Sequence, residues 1–291
     1  MNAFTIRDLE NISGIKAHTI RIWEQRYNFL KPQRSETNIR YYCNEELKTI
    51  LNIALLNKHG YKISQIDKME PGEICKKILE LRQSDAKPEI IVNDLIKEMI
   101  DLRISEFEVT LDSYISDHGI ENTVKKIIFP FLERIGILWQ TGHIIPAQEH
   151  FVSSIIRQKL IVAIDKVPNN AEGQSCLLFL PEGEHHELGL LFLHYMLKTR
   201  HARVMYLGAN VPLRDIENII SALRPERAFV HLTGTCPNFN FEKLIRFLGE
   251  RSSDVSTIIS GYPTNCFHKE LPQNVSFKRT FGEMMDFLSK F

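Results

Sequence analysis

SCLLFLPEGEHHELGLLFLHYML, residues 175–197, changes period halfway along. Residues 175–181 form a short apolar run of the kind shown by a strand buried on both faces, and from Leu188 apolar residues recur at helical spacing. Between the two lies Gly183-Glu184-His185-His186-Glu187-Leu188-Gly189, a turn with a carboxylate, a histidine two residues on and a glycine three beyond that. Strand, turn and helix make one repeat of a parallel sheet, and ligands on such sheets bind outside the carboxyl ends of the strands. The same pattern continues to the end of the chain. Strands are expected at 175–180, 203–207, 227–232, 255–260 and 275–279, with helices between them and a last helix at 284–289. A Rossmann-like α/β domain therefore fills 171–291. Neither the dinucleotide fingerprint GxGxxG nor a Walker lysine motif follows its first strand.

Upstream, 88–170 repeats apolar residues at helical spacing with few breaks, and four helices fit: 88–101, 105–117, 120–140 and 146–167. These make a bundle of the up-down kind, whose ends commonly house cofactors. Pro146 suits a first-turn position, while Pro130 should kink the third helix. Trp139 closes that helix and Glu149 with His150 opens the fourth, so a short loop at Gly142 brings all three to one end of the bundle. Pro71-Gly72 and Asp85-Ala-Lys-Pro88 bracket a linker at 71–87.

Residues 1–70 read as a DNA-binding head. Thr5 caps a short helix with Ile6, Leu9 and Ile12 on one face, and Ser13-Gly14-Ile15 turns into a second helix, from Ala17, that buries Ile20 and Trp23. A segment without helical period, 28–42, suits a two-stranded wing. A third helix with an apolar stripe of Leu47, Ile50, Leu51 and Ala54 closes at Gly60. From Lys16 to Arg40 the cations are Lys16, Arg21, Arg26, Lys31, Arg34 and Arg40, opposed only by Glu24 and Glu36. That local excess is what phosphate contacts require, although Lys plus Arg balances Asp plus Glu at 36 each over the 291 residues.

The start of the chain lacks a basic region followed by an apolar one, and no apolar run reaches the roughly 18 residues of a membrane span, which points to a cytoplasmic protein without a membrane partner. Five scattered cysteines, none in a CxxC pair, indicate neither a disulfide framework nor a zinc knuckle.

Residues 5–66 resemble the winged-helix DNA-binding domain of the MerR family throughout. The matching features are Ser13-Gly14, Thr19-Ile20-Arg21, Trp23-Glu24, Leu30-Lys31-Pro32 and Arg40-Tyr41-Tyr42. In that family the recognition helix enters the major groove and the wing follows the backbone, roles that would pass to Lys16, His18, Thr19, Arg21, Arg34, Arg40 and Tyr41. WQTGHIIPAQEH, 139–150, is similar to the cap of bundles that cover a corrin ring, which implies Trp139 over the upper face of the cofactor and Glu149 and His150 at its adenosyl group. The turn 184–189 resembles that of cobalamin-binding domains. There the histidine displaces the cofactor's own benzimidazole and ligates cobalt from below. The resemblance makes His186 the lower axial ligand, Glu184 its orienting carboxylate, and Gly189 the space beside the nucleotide tail. Thr233 and Thr235 stand near the family's Ser-x-Leu and Gly261 at its paired glycines, each departing from the usual residues.

The three segments in this order resemble the light-responsive, cobalamin-dependent MerR regulators of the CarH/LitR type. That implies a repressor rather than an enzyme, with adenosylcobalamin as cofactor, promoter DNA and further copies of the chain (a dimer or tetramer) as partners, and no protein substrate. A histidine that follows the cap Trp in the light-sensing members is replaced by Gln140, with His143 nearby. Two other readings stay open: a regulator that senses another tetrapyrrole, a bilin or a heme, or works without cofactor, and a metal site built from His185, His186 and Glu187, which adjacent side chains on a helix do not readily form.

Overall fold

The computed structural model describes residues 4–35, 38–81, 87–140, 144–170, 172–234 and 239–291. The chain divides into two compact units, 1–155 and 156–291.

In the first unit Phe4 pairs with Tyr42 across an antiparallel bridge, both rings fully buried. Helix α1 (Ile6–Ser13) starts in a reciprocal box: the Thr5 hydroxyl accepts from the Asp8 N–H, and the Asp8 carboxylate accepts from the Thr5 N–H at 2.6 Å. It ends at Gly14, whose φ of 74° places it in the left-handed region where glycine carries no steric penalty. Helix α2 (Ala17–Arg26) buries Ile20 and Trp23. The wing forms as β1 (Gln33–Arg34) antiparallel to β2 (Arg40–Tyr41). Helix α3 (Asn44–Lys58) buries Leu47, Ile50 and Leu51, and the single turn α4 (Ile63–Ile66) completes the head.

The segment expected to be a linker is helical in its first part, as α5 (Pro71–Leu81). Pro71 takes the first helical position, where a missing N–H costs nothing, so the Pro-Gly pair opens a helix instead of breaking one. Ile78 and Leu81 pack on Leu55 and Ile90.

The bundle comprises α6 (Lys87–Ile100), α7 (Ile104–Thr123), a π-helical turn at Val124–Ile128, α8 (Phe129–Gln140) and α9 (Pro146–Lys166), which runs on into the second unit. Gly119, at φ 75° and ψ 160°, interrupts α7. The disturbance expected at Pro130 lies just ahead of it: the proline cannot donate to a carbonyl one turn back, and the wider π turn absorbs the mismatch. The head packs on this bundle, α1 beside α8 and α3 beside α6. Lys48 meets Asp101 at 2.7 Å, Lys58 meets Glu89 at 2.6 Å, and Lys97 donates to Asn52 at 2.8 Å.

The second unit contains β3 (Ser175–Pro181), α10 (Leu188–Lys198), β4 (Arg203–Val211), α11 (Leu213–Leu223), β5 (Arg227–Leu232), α12 (Phe241–Arg251), β6 (Ser256–Gly261), α13 (Pro263–Cys266), β7 (Val275–Lys278) and α14 (Phe281–Leu288). Its sheet is parallel throughout, in the order β4-β3-β5-β6-β7. Every residue of β3 is buried, as its unbroken apolar run required. β4 runs four residues past its expected end because Gly208, at φ 81°, lets the strand shift register and continue. The chain leaves β3 toward β4 and returns past it to β5, so the topological switch point, and the crevice it opens, lies between the carboxyl ends of β3 and β5. No helix among the described residues is long and apolar enough to cross a membrane.

Candidate cofactor site and nucleic-acid interface

The turn after β3 is held by its neighbours. Gly183, at φ 90°, donates its N–H to Asn210 Oδ1 at 2.9 Å, and Asn210 N–H donates to the Glu184 carbonyl at 3.0 Å. These bonds turn the Glu184 side chain inward, where only 3% of it is exposed. Its Oε1 accepts from the His185 and His186 N–H groups, both at 2.9 Å, and meets His186 Nδ1 at 2.7 Å, while Oε2 accepts from the Thr233 N–H at 3.3 Å. Burial pushes this carboxyl up, but the bonds from the His186 ring, the His186 N–H and the Thr233 N–H outweigh it and leave the group below its ordinary 4.5. The turn thus presents a charged carboxylate that accepts from Nδ1 and fixes the imidazole tautomer, on a histidine side chain that is 64% exposed. Thr233 Oγ1 closes the loop on the His186 carbonyl at 3.5 Å. Thr235 lies outside the described residues.

The two glycines singled out from the sequence are both required by packing within the chain. A Cβ at Gly261, which has φ 103°, would lie 1.9 Å from the Leu232 carbonyl oxygen. A Cβ at Gly189 would lie 2.2 Å from His231 Cδ2 and 2.5 Å from its Nε2. His231 went unread in the sequence, where it is the polar interruption near the end of the strand Arg-Ala-Phe-Val-His-Leu. Its Nδ1 meets Ser260 Oγ at 2.9 Å, and burial pulls its pKa down to about 4, so the ring is neutral near pH 7. Glu187, offered by the sequence only as a member of a metal trio with His185 and His186, has other partners: Arg157 Nε meets its Oε1 at 2.9 Å, and the Tyr206 hydroxyl donates to its Oε2 at 2.9 Å. His185, His186 and Glu187 form no metal cluster, and no group of three His, Cys, Asp or Glu side chains among the described residues is arranged to hold an ion.

In the first unit, Trp139 stands in the last turn of α8, 46% exposed, and Glu149 and His150 in the first turn of α9, paired at 3.1 Å between Oε2 and Nδ1. The start of α9 is fixed from inside by Gln148, which accepts from the Ile145 N–H at 3.1 Å and reaches the Met99 and Ile100 carbonyls at 3.4 and 3.3 Å. Helices joined by so short a connection share one end of the bundle. The Gln140 side chain and His143 lie outside what is described.

On the head, α2 turns His18, Arg21, Gln25 and Arg26 to solvent, and Arg34 is exposed on the wing, its Nη1 donating to Asn38 at 2.7 Å. Lys16, also exposed, meets Glu10 at 3.0 Å, and Thr19 is half-buried beside His18 at 3.3 Å. Arg40 is engaged internally: its Nε meets the half-buried Glu24 at 2.8 Å, and the same carboxylate accepts the Tyr42 hydroxyl, which locks the wing to α2. Tyr41 is half-buried in the wing strand. Lys16, Arg21, Arg26 and Arg34 are thus cations exposed on helix and wing, where solvent or a partner can reach them.

A winged-helix head with a basic face, joined to a bundle and to a parallel α/β domain with a carboxylate-held histidine at the switch point, defines a DNA-binding regulator with a ligand-binding module. Residues 4–73 match the MerR HTH family regulatory protein, and residues 91–163 match the B12 binding domain. Over 223 residues the chain is 30% identical to the HTH-type transcriptional repressor CarA of Myxococcus xanthus, spanning 76% of this chain and 73% of that one. To the repressor CarH of the same organism it is 26% identical over 232 residues, 77% and 76% of the two chains. The monomethylamine corrinoid protein of Methanosarcina barkeri shares the fold, with a TM-score of 0.56 at 13% identity over 69% of this chain and 98% of that one. The chain belongs to the MerR family, as a transcriptional regulator with a cobalamin-binding domain.

Proposed function

We propose that this chain is a cytoplasmic repressor, with no catalytic role, whose hold on promoter DNA is set by adenosylcobalamin and released by light. The observation that carries the reading is the Glu184–His186 pair at the switch point of a domain joined to a DNA-binding head. The donor set fits a corrinoid. One exposed imidazole suits a metal that brings four equatorial nitrogens of its own, and no three-ligand cluster stands among the described residues to hold a bare ion. With Nδ1 engaged by Glu184, Nε2 is the ring nitrogen left that would ligate cobalt. Trp139, Glu149 and His150 would contact the adenosyl group, the indole excluding water and the Glu149–His150 pair offering polar partners. When bound, the cofactor supplies a cobalt–carbon bond that light can break.

The chain's own part is to convert occupancy into DNA affinity. One head places few cations on phosphate, whereas two or four linked heads raise the effective concentration at the operator and bind far more tightly. We therefore assign cofactor-controlled self-assembly, to a dimer or tetramer, as the link. An electrophoretic shift of promoter DNA with apo, dark cofactor-loaded and illuminated protein, run beside light scattering, tests this. Tight binding only by an assembled, dark, loaded form supports it. Equal binding by all three forms contradicts it, and a light-independent response to cofactor would leave cobalamin as the signal and remove light.

A further inference from the structure

The crevice that the sheet order opens is not empty of side chains. It lies between the carboxyl ends of β3 and β5, and His231, next to last in β5, has its imidazole pressed on the Cα of Gly189 at the head of α10, where an added Cβ would overlap ring atoms at 2.2 and 2.5 Å. Ser260 Oγ, on the neighbouring strand β6, holds the ring there through Nδ1 at 2.9 Å. The two crevice walls are also laced together above it, by the Thr233 N–H on Glu184 and the Thr233 hydroxyl on the His186 carbonyl. A tethered imidazole thus stands in the crevice, against Gly189 and close in sequence to the turn that carries His186.

The chemistry of the ligand gives that placement a consequence, on the reading that His186 ligates a corrinoid. Cobalamin carries a benzimidazole nucleotide tethered to its ring. If His186 ligates the cobalt, the displaced base would need another place, and the crevice between the carboxyl ends of β3 and β5, next to the 183–189 turn, would be the candidate. We propose that His231 is a specificity-determining residue that closes this crevice to the nucleotide, so that the chain holds a corrinoid by its ring and axial bond and discriminates against the bulky tail. Admission of the base requires the imidazole to leave Gly189 and give up its bond to Ser260. Gly189 thus makes room for His231 and not for the ligand.

The test compares hydroxocobalamin with diaquocobinamide, which has the same ring and no nucleotide, by absorption titration of the full-length chain. The wild-type ratio alone decides nothing, because cobalamin must also give up its own axial base; the change in ratio on substitution does. His231→Ala should tighten cobalamin about tenfold, the equivalent of one hydrogen bond and its packing no longer displaced, and leave cobinamide unchanged. Ser260→Ala, which only unties the ring, should move cobalamin the same way by a smaller factor, and cobinamide binding reports that both variants are folded. A ratio that stays constant in both variants, or weaker cobalamin binding in His231→Ala, overturns the proposal. Failure of the wild type to bind either corrinoid overturns the cofactor reading itself, and this inference with it.

Discussion

Glu184→Gln isolates the charge of the carboxylate that organises the site, with little change of shape. In the wild type Oε1 receives two backbone N–H groups at 2.9 Å and the His186 ring at 2.7 Å, and Oε2 receives Thr233 at 3.3 Å. A glutamine can set its oxygen at the first position, but its NH₂ then faces the Thr233 N–H, donor against donor. Bonds to a charged acceptor contribute about 1.5–3 kcal/mol and neutral ones about 0.5–1.5 kcal/mol, so three weakened bonds and one lost bond should cost about 2–4 kcal/mol. The pH dependence has a definite sign. Because the folded carboxyl lies below its ordinary 4.5, its stabilisation is complete above that value and is lost as the pH falls through the lower folded value. Thermal unfolding of the apo chain should therefore show the variant well below wild type at pH 7, with the gap narrowing in acid. A glutamine still orients the imidazole but gives it no charge to lean on, and corrinoid affinity should fall about 10–100-fold. Equal stability of the two proteins at pH 7, or a gap that widens in acid, would refute the reasoning.

Three further outcomes follow from the geometry. Gly261→Ala should prevent folding of the α/β domain or cost it about 3 kcal/mol or more, because the methyl meets the Leu232 oxygen at 1.9 Å on a backbone at φ 103°; circular dichroism on heating reads it. Arg21→Ala should leave stability unchanged and lower both DNA affinity and the slope of its salt dependence by about one ion, whereas Arg40→Ala should destabilise the head by about 2 kcal/mol by removing the cation from the Glu24 carboxylate, which keeps the Tyr42 hydroxyl, as urea unfolding beside a filter-binding salt series would show. Trp139→Ala, at a half-exposed position, should shift the melting temperature of the apo protein little yet weaken corrinoid binding about tenfold in a spectral titration.

What was legible in the sequence was periodic or capped. The β3 run and the α10 repeat gave the parallel sheet, Thr5 with Asp8 and Gly14 marked the first helix, and Ile20 with Trp23 gave the buried face of the second. What was not legible depended on partners distant in the chain. His231 acquires meaning only because the β4-β3-β5 order sets it against Gly189, and Arg40 only because the wing folds back on Glu24. Pro71-Gly72 misled because the pair that ends one helix also opens another, and the packing of Ile78 and Leu81 on Leu55 and Ile90 decides between them. At Pro130, where a kink is expected, a π turn at Val124–Ile128 precedes the proline and α8 runs through it.

The central claim is axial ligation of a corrinoid by His186 under the orientation of Glu184. It is tested most directly by absorption spectra of the full-length chain titrated in the dark with adenosylcobalamin, wild type beside His186→Ala. The expected result is saturable binding by the wild type with the spectrum of an imidazole-ligated cobalt, and loss of that signature, with weaker binding, in the variant. Identical spectra from the two proteins, or a wild type that stays colourless after desalting, would contradict it.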